Sequence, residues 1–366
     1  MKSEKFFHSS TAIITLFAAC FVVLISLGVR QTFGLFFIDF NESLNISNTA
    51  FGFAIGTQML MWGLTGPIFG AIADRFGGHV AIISSFLFYT LGVYFLYSGP
   101  NTGIFFQIHL GLLIGIGLGG TAISIPMSIV GKHFPLSNRT IAMSIVTAVG
   151  SFGYFISPIF TNYSLIEYGW NYTLFLFSLF LVTGLIAAFF VRSPKENEIV
   201  ENRSDQSFKE ALSEAFKSKS YILLVSGFFV CGFHITLVGT HVPKYVIDRG
   251  LEDWTAAAIL SLIGLFNIFG SLLSGYLSTK ISKKVLLSAI YLLRGFSIAF
   301  FIFTPPSVLS AFIFGASFGF LWLSTVPATS GIVAHLFGTK YLGLLYGIVF
   351  LSHQIGSFFG AYLGGL

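Results

Sequence analysis

Charged residues are scarce in this sequence. Only 9% of its 366 residues are Asp, Glu, Lys or Arg, whereas 55% are hydrophobic. A water-soluble protein of this length would need far more charge on its surface, so most of the surface is expected to face lipid. Cysteine is rare as well: Cys20 and Cys231 both fall in apolar runs, which excludes a disulfide framework. No metal-ligand spacing, nucleophile elbow or phosphate loop is present, so neither an enzyme nor a cofactor is expected.

The hydrophobic residues form eleven runs, and a helix of about 20 residues suffices to cross the roughly 30 Å of hydrocarbon in a bilayer. The runs cover residues 12–38, 50–73, 79–97, 103–131, 140–160, 171–191, 220–241, 255–278, 285–303, 306–334 and 342–366. They predict an all-α membrane protein with eleven spans. Because the last run reaches Leu366 without a polar tail, we expect that one further helix is missing from the chain.

The basic residues report the orientation of the spans. Placing the N-terminus in the cytoplasm puts fifteen Lys and Arg side chains on the inside and two, Lys244 and Arg249, on the outside. This asymmetry predicts a multi-pass protein of the inner (plasma) membrane with a cytoplasmic N-terminus. The basic residues form no single stripe, so nucleic acid is not an expected partner. The lipid bilayer is the expected environment, and a monomer is the expected state.

A polar linker and an internal repeat organise the chain. Residues 192–219 separate six runs from five, which predicts an N-terminal bundle at 1–191 and a C-terminal bundle of five helices at 220–366. Within the linker, apolar residues recur every four positions from Phe208 to Phe216 and predict a short amphipathic helix. The connectors that begin at Gly70 and Gly275 are 205 positions apart and alike in pattern. This repeat predicts two pseudo-symmetric bundles.

The first of these connectors carries a known pattern. It reads Gly70-Ala-Ile-Ala-Asp74-Arg75-Phe-Gly77-Gly78-His79 and resembles the loop signature of the major facilitator superfamily between helices two and three. The resemblance implies a fold of two six-helix bundles. It also implies that Gly70, Asp74, Arg75 and Gly77 form a conformational latch. The second connector has Thr279 in place of the acid.

Further segments resemble one bacterial branch of that superfamily, the monocarboxylate-porter and oxalate/formate-antiporter-like branch. They include Gly28–Phe36, Tyr291–Arg294 and Leu351–Gln354. The resemblance implies a secondary transporter of a small organic anion that uses alternating access, by symport with a proton or by exchange. Two alternatives stay open: efflux of an amphiphilic neutral or cationic compound, and a transport-dead membrane receptor or scaffold. The sequence has no acid deep in a span to bind a cation, and no long soluble domain for signalling.

Two arginines lie within spans, where an ionisable side chain is costly and is a candidate for function. Because none of the fourteen carboxylates lies deep in a span, Arg30 and Arg294 are predicted to bind a substrate carboxylate through their planar guanidinium groups. The alternative for Arg30 is that it snorkels to the outer interface near Asp39. The alternative for Arg294 is a structural contact to helix-end carbonyls or to the neighbouring half.

Other polar residues inside spans complete the predicted substrate site. His234 and His241 are seven residues apart and therefore share one helix face, where a proton or an anion could bind. Gln58, His353 and Gln354 are further candidates. The alternative for all five is hydrogen bonding within the helix bundle.

Glycines at four-residue spacing predict close helix packing. The pattern Gly115-x-Gly117-x-x-Gly120 fits a dinucleotide-binding motif, but no strand precedes it, so it is interpreted as a packing surface. The packing stripes are Gly111/Gly115/Gly119, Gly52/Gly56, Gly66/Gly70, Gly315/Gly319 and Gly360/Gly364.

Overall fold

A computed structural model describes residues 10–134, 136–192, 208–337 and 342–366 of the protein. Within these ranges all regular secondary structure is helical, which confirms the predicted all-α class. The topology prediction also used Lys2, Lys5 and Lys340, and these residues lie outside the described ranges, as does most of the predicted linker (193–207).

The described residues of the first half form eight α-helical stretches joined by short irregular segments. They are α1 (Ser10–Gln31), α2 (Phe37–Leu44), α3 (Asn48–Phe76), α4 (Gly78–Ser98), α5 (Ile104–Phe106), α6 (Ile114–Thr121), α7 (Ser124–His133) and α8 (Leu136–Ala188). A 3-10 turn at Phe33–Phe36 precedes α2, and a π-helix at Gln107–Leu113 joins α5 to α6. Helix α8 contains two of the predicted spans, and they meet at Gly169, whose positive φ of 77° is not helical.

The described residues of the second half form seven more helices. They are α9 (Phe208–Lys217), α10 (Lys219–Asp248), α11 (Asp253–Lys280), α12 (Lys283–Phe303), α13 (Val308–Leu321), α14 (Thr325–Phe337) and α15 (Leu342–Gly364). Helix α9 is the amphipathic helix predicted in the linker. Helices α13 and α14 are separated by a break at 322–324, just as α6 and α7 are separated at 122–123.

The described residues include nine stretches that are long and apolar enough to cross a membrane, compared with eleven predicted spans. Two differences account for the count. Residues Ile141–Ala188 form one continuous stretch that holds two predicted spans. Helix α3 is 29 residues long, but it is rich in glycine and carries Gln58, so its mean hydropathy is lower than that of the nine.

The helices group into two compact units. The first unit is Met1–Ile46 with Met61–Glu198, and the second is Ser47–Leu60 with Ile199–Leu366. The division after residue 198 falls inside the predicted linker. Residues 47–60, predicted to belong to the N-terminal bundle, group with the second unit because the start of α3 packs against α15. There, Thr49 Oγ1 donates to the carbonyl oxygen of Gly365 at 2.8 Å.

Glycines allow the helix backbones to approach closely within each unit. In the second unit, a Cβ at Gly360 would collide with the carbonyl of Phe233, and a Cβ at Gly319 would collide with the backbone of Ile263. These contacts confirm the packing predicted for these two stripes. Gly70 is an exception, because no described atom beyond its chain neighbours and its own helix backbone lies within 4 Å of its Cβ position; the packing predicted for that residue is wrong.

Candidate functional site

Arg30 is buried in the first unit, at the C-terminal end of α1. It is 8% exposed, whereas an arginine that snorkels keeps its guanidinium in the polar interface. Its Nη1 donates to Gln31 Oε1 at 3.5 Å. The buried Tyr89 of α4 and Tyr154 of α8 lie close enough to interact with it electrostatically. The guanidinium therefore lies among tyrosine side chains within the unit.

The local fold explains how this charge is tolerated. Helix α1 ends at Gln31, and the chain continues as a 3-10 turn at Phe33–Phe36. Arg30 therefore lies in the last turn of a 22-residue helix, where the partial negative charge of the helix dipole favours a cation. A buried guanidinium in this position can bind a carboxylate through two parallel hydrogen bonds.

Arg294 is buried in the second unit, in the middle of α12, and is 0% exposed. Its Nε and Nη2 donate to the carbonyl oxygen of Leu321 at 3.0 and 2.6 Å, and Nη2 also donates to the carbonyl of Trp322. Helix α13 ends at Leu321, so the guanidinium caps the carbonyl end of that helix. These contacts match the structural alternative considered for Arg294.

Other polar residues surround the second arginine. Arg294 Nη1 lies 3.0 Å from Cys231 Sγ, and Cys231 Sγ lies 3.3 Å from Thr325 Oγ1. His353 also interacts with the thiol of Cys231, and His234 interacts electrostatically with Arg294. The structure thus brings together three residues predicted from the sequence, Arg294, His234 and His353. It adds Cys231 and Thr325, which the sequence prediction missed.

Two of the remaining predicted residues, Gln354 and His241, form hydrogen bonds to backbone carbonyls of the second unit, and the third, Gln58, precedes one of the acceptor residues. Gln354 Nε2 donates to the carbonyl oxygen of Met59 at 3.1 Å, and its Oε1 lies 2.9 Å from His353 Nδ1. His241 Nε2 lies 2.7 Å from the carbonyl oxygen of Ala361. Gln58, the residue before Met59, is 0% exposed. These contacts fit the interhelical hydrogen bonds that were the alternative for Gln354 and His241.

The polar clusters of the two units repeat one another. In the first unit, the hydroxyls of Ser26 and Thr121 share a 2.7 Å hydrogen bond, and the Tyr89 hydroxyl donates to the Ser26 carbonyl at 3.0 Å. In the second unit, Cys231 corresponds to Ser26, Thr325 to Thr121 and Arg294 to Tyr89. The offsets are 205, 204 and 205 positions, respectively, in agreement with the repeat of the two connectors. That offset was the sequence signal that could have identified Tyr89 and Cys231.

The predicted latch residues lie at the end of α3. Asp74 Oδ1 forms a 2.8 Å ion pair with Lys132 Nζ of α7, and the aspartate side chain is 71% exposed. The Arg75 guanidinium lies over the Phe76 ring, 5.1 Å from its centroid. Gly77 has a φ of 96° and forms the N-cap of α4, a conformation that favours glycine. The ion pair ties α3 to α7 within the first unit.

Curated proteins resemble the chain over most of its length. An uncharacterized MFS-type transporter of Bacillus subtilis, YcxA, is 23% identical over 96% of this chain and 87% of its own length. Monocarboxylate transporter 13 of Rattus norvegicus is 24% identical over 92% of this chain and 78% of its own. The agnestins efflux protein AgnL12 of Paecilomyces divaricatus is 23% identical over 97% of this chain and 80% of its own length.

Solved structures and a family model complete the comparison. A bacterial homolog of the human lysosomal transporter Spinster superposes with a TM-score of 0.74 at 18% identity, covering 97% of this chain and 82% of that one. The fucose:proton symporter of E. coli superposes with a TM-score of 0.64 at 15% identity, covering 96% of this chain and 90% of that one. The family model described as Major Facilitator Superfamily matches residues 19–361. The chain therefore belongs to the major facilitator superfamily and is a multi-pass secondary transporter, not an enzyme.

Proposed function

We propose that this transporter carries a small organic anion of the monocarboxylate type and that Arg30 binds its carboxylate. The observation that supports the proposal most strongly is the guanidinium of Arg30, buried at the C-terminal end of α1 beside Tyr89 and Tyr154. A buried guanidinium gains about 1.5–3 kcal/mol from each hydrogen bond to a charged partner. A carboxylate substrate supplies two such acceptors, and their spacing matches the fork formed by two parallel N–H groups of the planar guanidinium.

The sign of the buried charge favours an anion over a cation. Among the described residues, the buried charged side chains are Arg30 and Arg294, and no Asp or Glu is buried. A cationic substrate would have to bind near these positive charges without a buried carboxylate to attract it. This distribution supports organic-anion transport over the efflux of cations.

The two arginines differ in what they contact, and the difference leads us to assign the carboxylate to Arg30. Arg294 donates from Nε, Nη1 and Nη2 to two backbone carbonyls and a thiol of its own unit. Binding a substrate there would remove hydrogen bonds from the end of α13. We assign His234, His353 and Gln354 a supporting role, in substrate contact or in proton coupling.

Efflux of an amphiphilic neutral compound is the second candidate. The relative named as an agnestins efflux protein is as similar to this chain as the relative named as a monocarboxylate transporter. The two functions differ in their dependence on charge. An efflux substrate without a carboxylate would not need the guanidinium of Arg30.

We further propose the cellular setting inferred from the sequence. The transporter lies in the inner (plasma) membrane as a monomer with a cytoplasmic N-terminus, and it is built of halves at 1–191 and 220–366. In this setting, Gly70, Asp74, Arg75 and Gly77 act as a latch during alternating access. Proton symport and anion exchange are both compatible with the histidines of the second unit.

Ligand-dependent thermal stability of the purified protein tests the assignment. The panel is formate, acetate, lactate, pyruvate and oxalate, each compared with its uncharged amide. A carboxylate that binds should raise the unfolding temperature, and its amide should not. Arg30→Gln should weaken binding at least about tenfold, and Arg30→Lys should weaken it less, because it keeps the charge but loses the fork.

The matched control is Arg249→Gln, which removes an exposed arginine whose Nη2 donates to the Tyr245 hydroxyl at 3.1 Å. It should bind the same carboxylate as tightly as wild type. Unchanged carboxylate affinity in folded Arg30→Gln would refute the assignment. Stabilisation by amides as strong as by carboxylates would instead favour the efflux of neutral compounds.

A further inference from the structure

A groove of about 610 Å³ opens in the second unit, where α10 and α12 begin and α14 ends. Its polar residues include Lys283, Lys284 and His335, together with three serines. None of the fourteen lining residues is acidic. The mouth of the groove therefore carries only positive side-chain charge.

The position of Lys283 is fixed by its own helix and by α14. A Cβ at Gly331 would lie 2.8 Å from Lys283 Cε, so the aliphatic part of the lysine packs against the backbone of α14. Lys283 is also the first residue of the 21-residue helix α12, and the side chain of its N-cap, Ser282, makes no capping hydrogen bond. The positive end of the helix dipole thus adds to the charge of the two lysines.

The remaining wall of the groove is apolar. Leu287 lines it and belongs to a buried hydrophobic cluster with Leu286 and Ile290, against which Leu224 and Ile332 pack. Tyr291 also lines the groove, one helical turn beyond Leu287. A ligand that fits this surface has an anionic head and an apolar chain.

The location of the groove matches such a ligand. It lies at the helix ends that the basic residues mark as cytoplasmic, and basic grooves between helices at that level attract anionic head groups. The lysine pair is specific to the second unit, since the positions 205 residues earlier are Gly78 and His79. The equivalent connector of the first unit therefore forms without lysines at these positions.

We propose that this groove binds one anionic phospholipid of the cytoplasmic leaflet, with the head-group phosphate at Lys283 and Lys284 and an acyl chain along Leu287 and Ile332. The bound lipid is distinct from the transported solute, because neither arginine lines the groove. Its binding would stabilise the contact of α12 with α10 and α14.

The test is a titration of the purified full chain in neutral detergent with dioleoyl phosphatidylglycerol, read by thermal stability and by native mass spectrometry. Wild type should show one saturable lipid site and a rise in unfolding temperature. Lys283→Gln with Lys284→Gln should weaken this site about thirtyfold, equivalent to roughly 2 kcal/mol at 1.4 kcal/mol per tenfold. Dioleoyl phosphatidylcholine and inorganic phosphate should give no comparable shift.

Two further variants control for surface charge and for folding. Lys209→Gln with Lys217→Gln removes two exposed lysines of α9 outside the groove and should keep the affinity within about threefold. Gly227→Leu fills the groove without changing its charge, since a Cβ there lies 3.8 Å from the Tyr291 ring, an ordinary contact. It should weaken phosphatidylglycerol binding at least about tenfold.

Three results would overturn the proposal. One is that both the Lys283→Gln, Lys284→Gln double variant and Gly227→Leu bind phosphatidylglycerol with wild-type affinity. Another is an equal loss in the α9 control, which would show general attraction to a basic surface. The third is a shift with inorganic phosphate as large as that with the lipid, which would assign the groove to a soluble anion.

Discussion

Replacing Arg294 should destabilise the protein, because its guanidinium satisfies the carbonyl end of α13. Arg294→Gln removes the charge and leaves at least one of two buried carbonyls, those of Leu321 and Trp322, without its donor. Arg294→Lys keeps the charge, but a single ammonium cannot reproduce the fork that reaches both carbonyls and Cys231 Sγ. We expect both variants to unfold at lower temperature than wild type, with glutamine the worse of the two.

The size of the effect follows from the contacts. A buried polar group left without its partner costs about 1–3 kcal/mol, and a buried cation at a helix C-terminus contributes up to about 2 kcal/mol. Uncharged hydrogen bonds between membrane helices average about 0.6 kcal/mol each, so the bonds of Arg294 together set a lower limit near 2 kcal/mol. An unfolding entropy of about 2.1 cal/mol/K per residue over the 366 residues converts a loss of about 3 kcal/mol for Arg294→Gln into a fall of about 4 °C in unfolding temperature.

The assay is thermal unfolding of the purified variants in one detergent, without added substrate. Arg249→Gln is the matched control, because it removes an arginine that is exposed and should shift the midpoint by about 1 °C at most. Wild-type stability in Arg294→Gln would refute the capping role. If folded Arg294→Gln lost carboxylate binding while Arg30→Gln kept it, the substrate arginine would be Arg294 instead of Arg30.

Three further predictions follow from the packing and the topology. Cys231→Ser should keep wild-type stability within about 1 kcal/mol, because the first unit has Ser26 at the equivalent position bonded to Thr121; a fall in unfolding temperature as large as that of Arg294→Gln would contradict the repeat. Gly232→Ala should destabilise by about 1–3 kcal/mol, since its Cβ would collide with the His353 carbonyl, whereas Gly295→Ala meets no atom within 4 Å and should be neutral or slightly stabilising in the same thermal assay. A cysteine introduced into the 192–219 linker should resist an impermeant reagent added outside intact cells, and its labelling there would reverse the predicted orientation.

Hydropathy predicted the helical segments well because length and apolarity decide whether a segment crosses a bilayer. It could not predict the break at 122–123 between α6 and α7, or the one at 322–324, since the residues on both sides are apolar. The kink at Gly169, whose φ of 77° is not helical, lies between the predicted spans 140–160 and 171–191, in agreement with the hydropathy pattern.

The same limits apply to the site. The sequence singled out Arg30 and Arg294 by their cost in a membrane, but the capping role of Arg294 depends on where α13 ends. In the sequence, Lys283 and Lys284 indicate only the orientation of the spans. Their place in a groove depends on the packing of α14 beside α12, which the sequence does not reveal.

Uptake into proteoliposomes tests the central claim most directly. Purified wild type and Arg30→Gln are reconstituted in parallel, with matched protein levels, and supplied with labelled lactate, pyruvate or formate with and without an inward proton gradient. Wild type should accumulate at least one of these anions, and Arg30→Gln should lose at least about nine-tenths of that uptake at low concentration because its affinity falls. Equal uptake of an anion by both proteins would contradict the account.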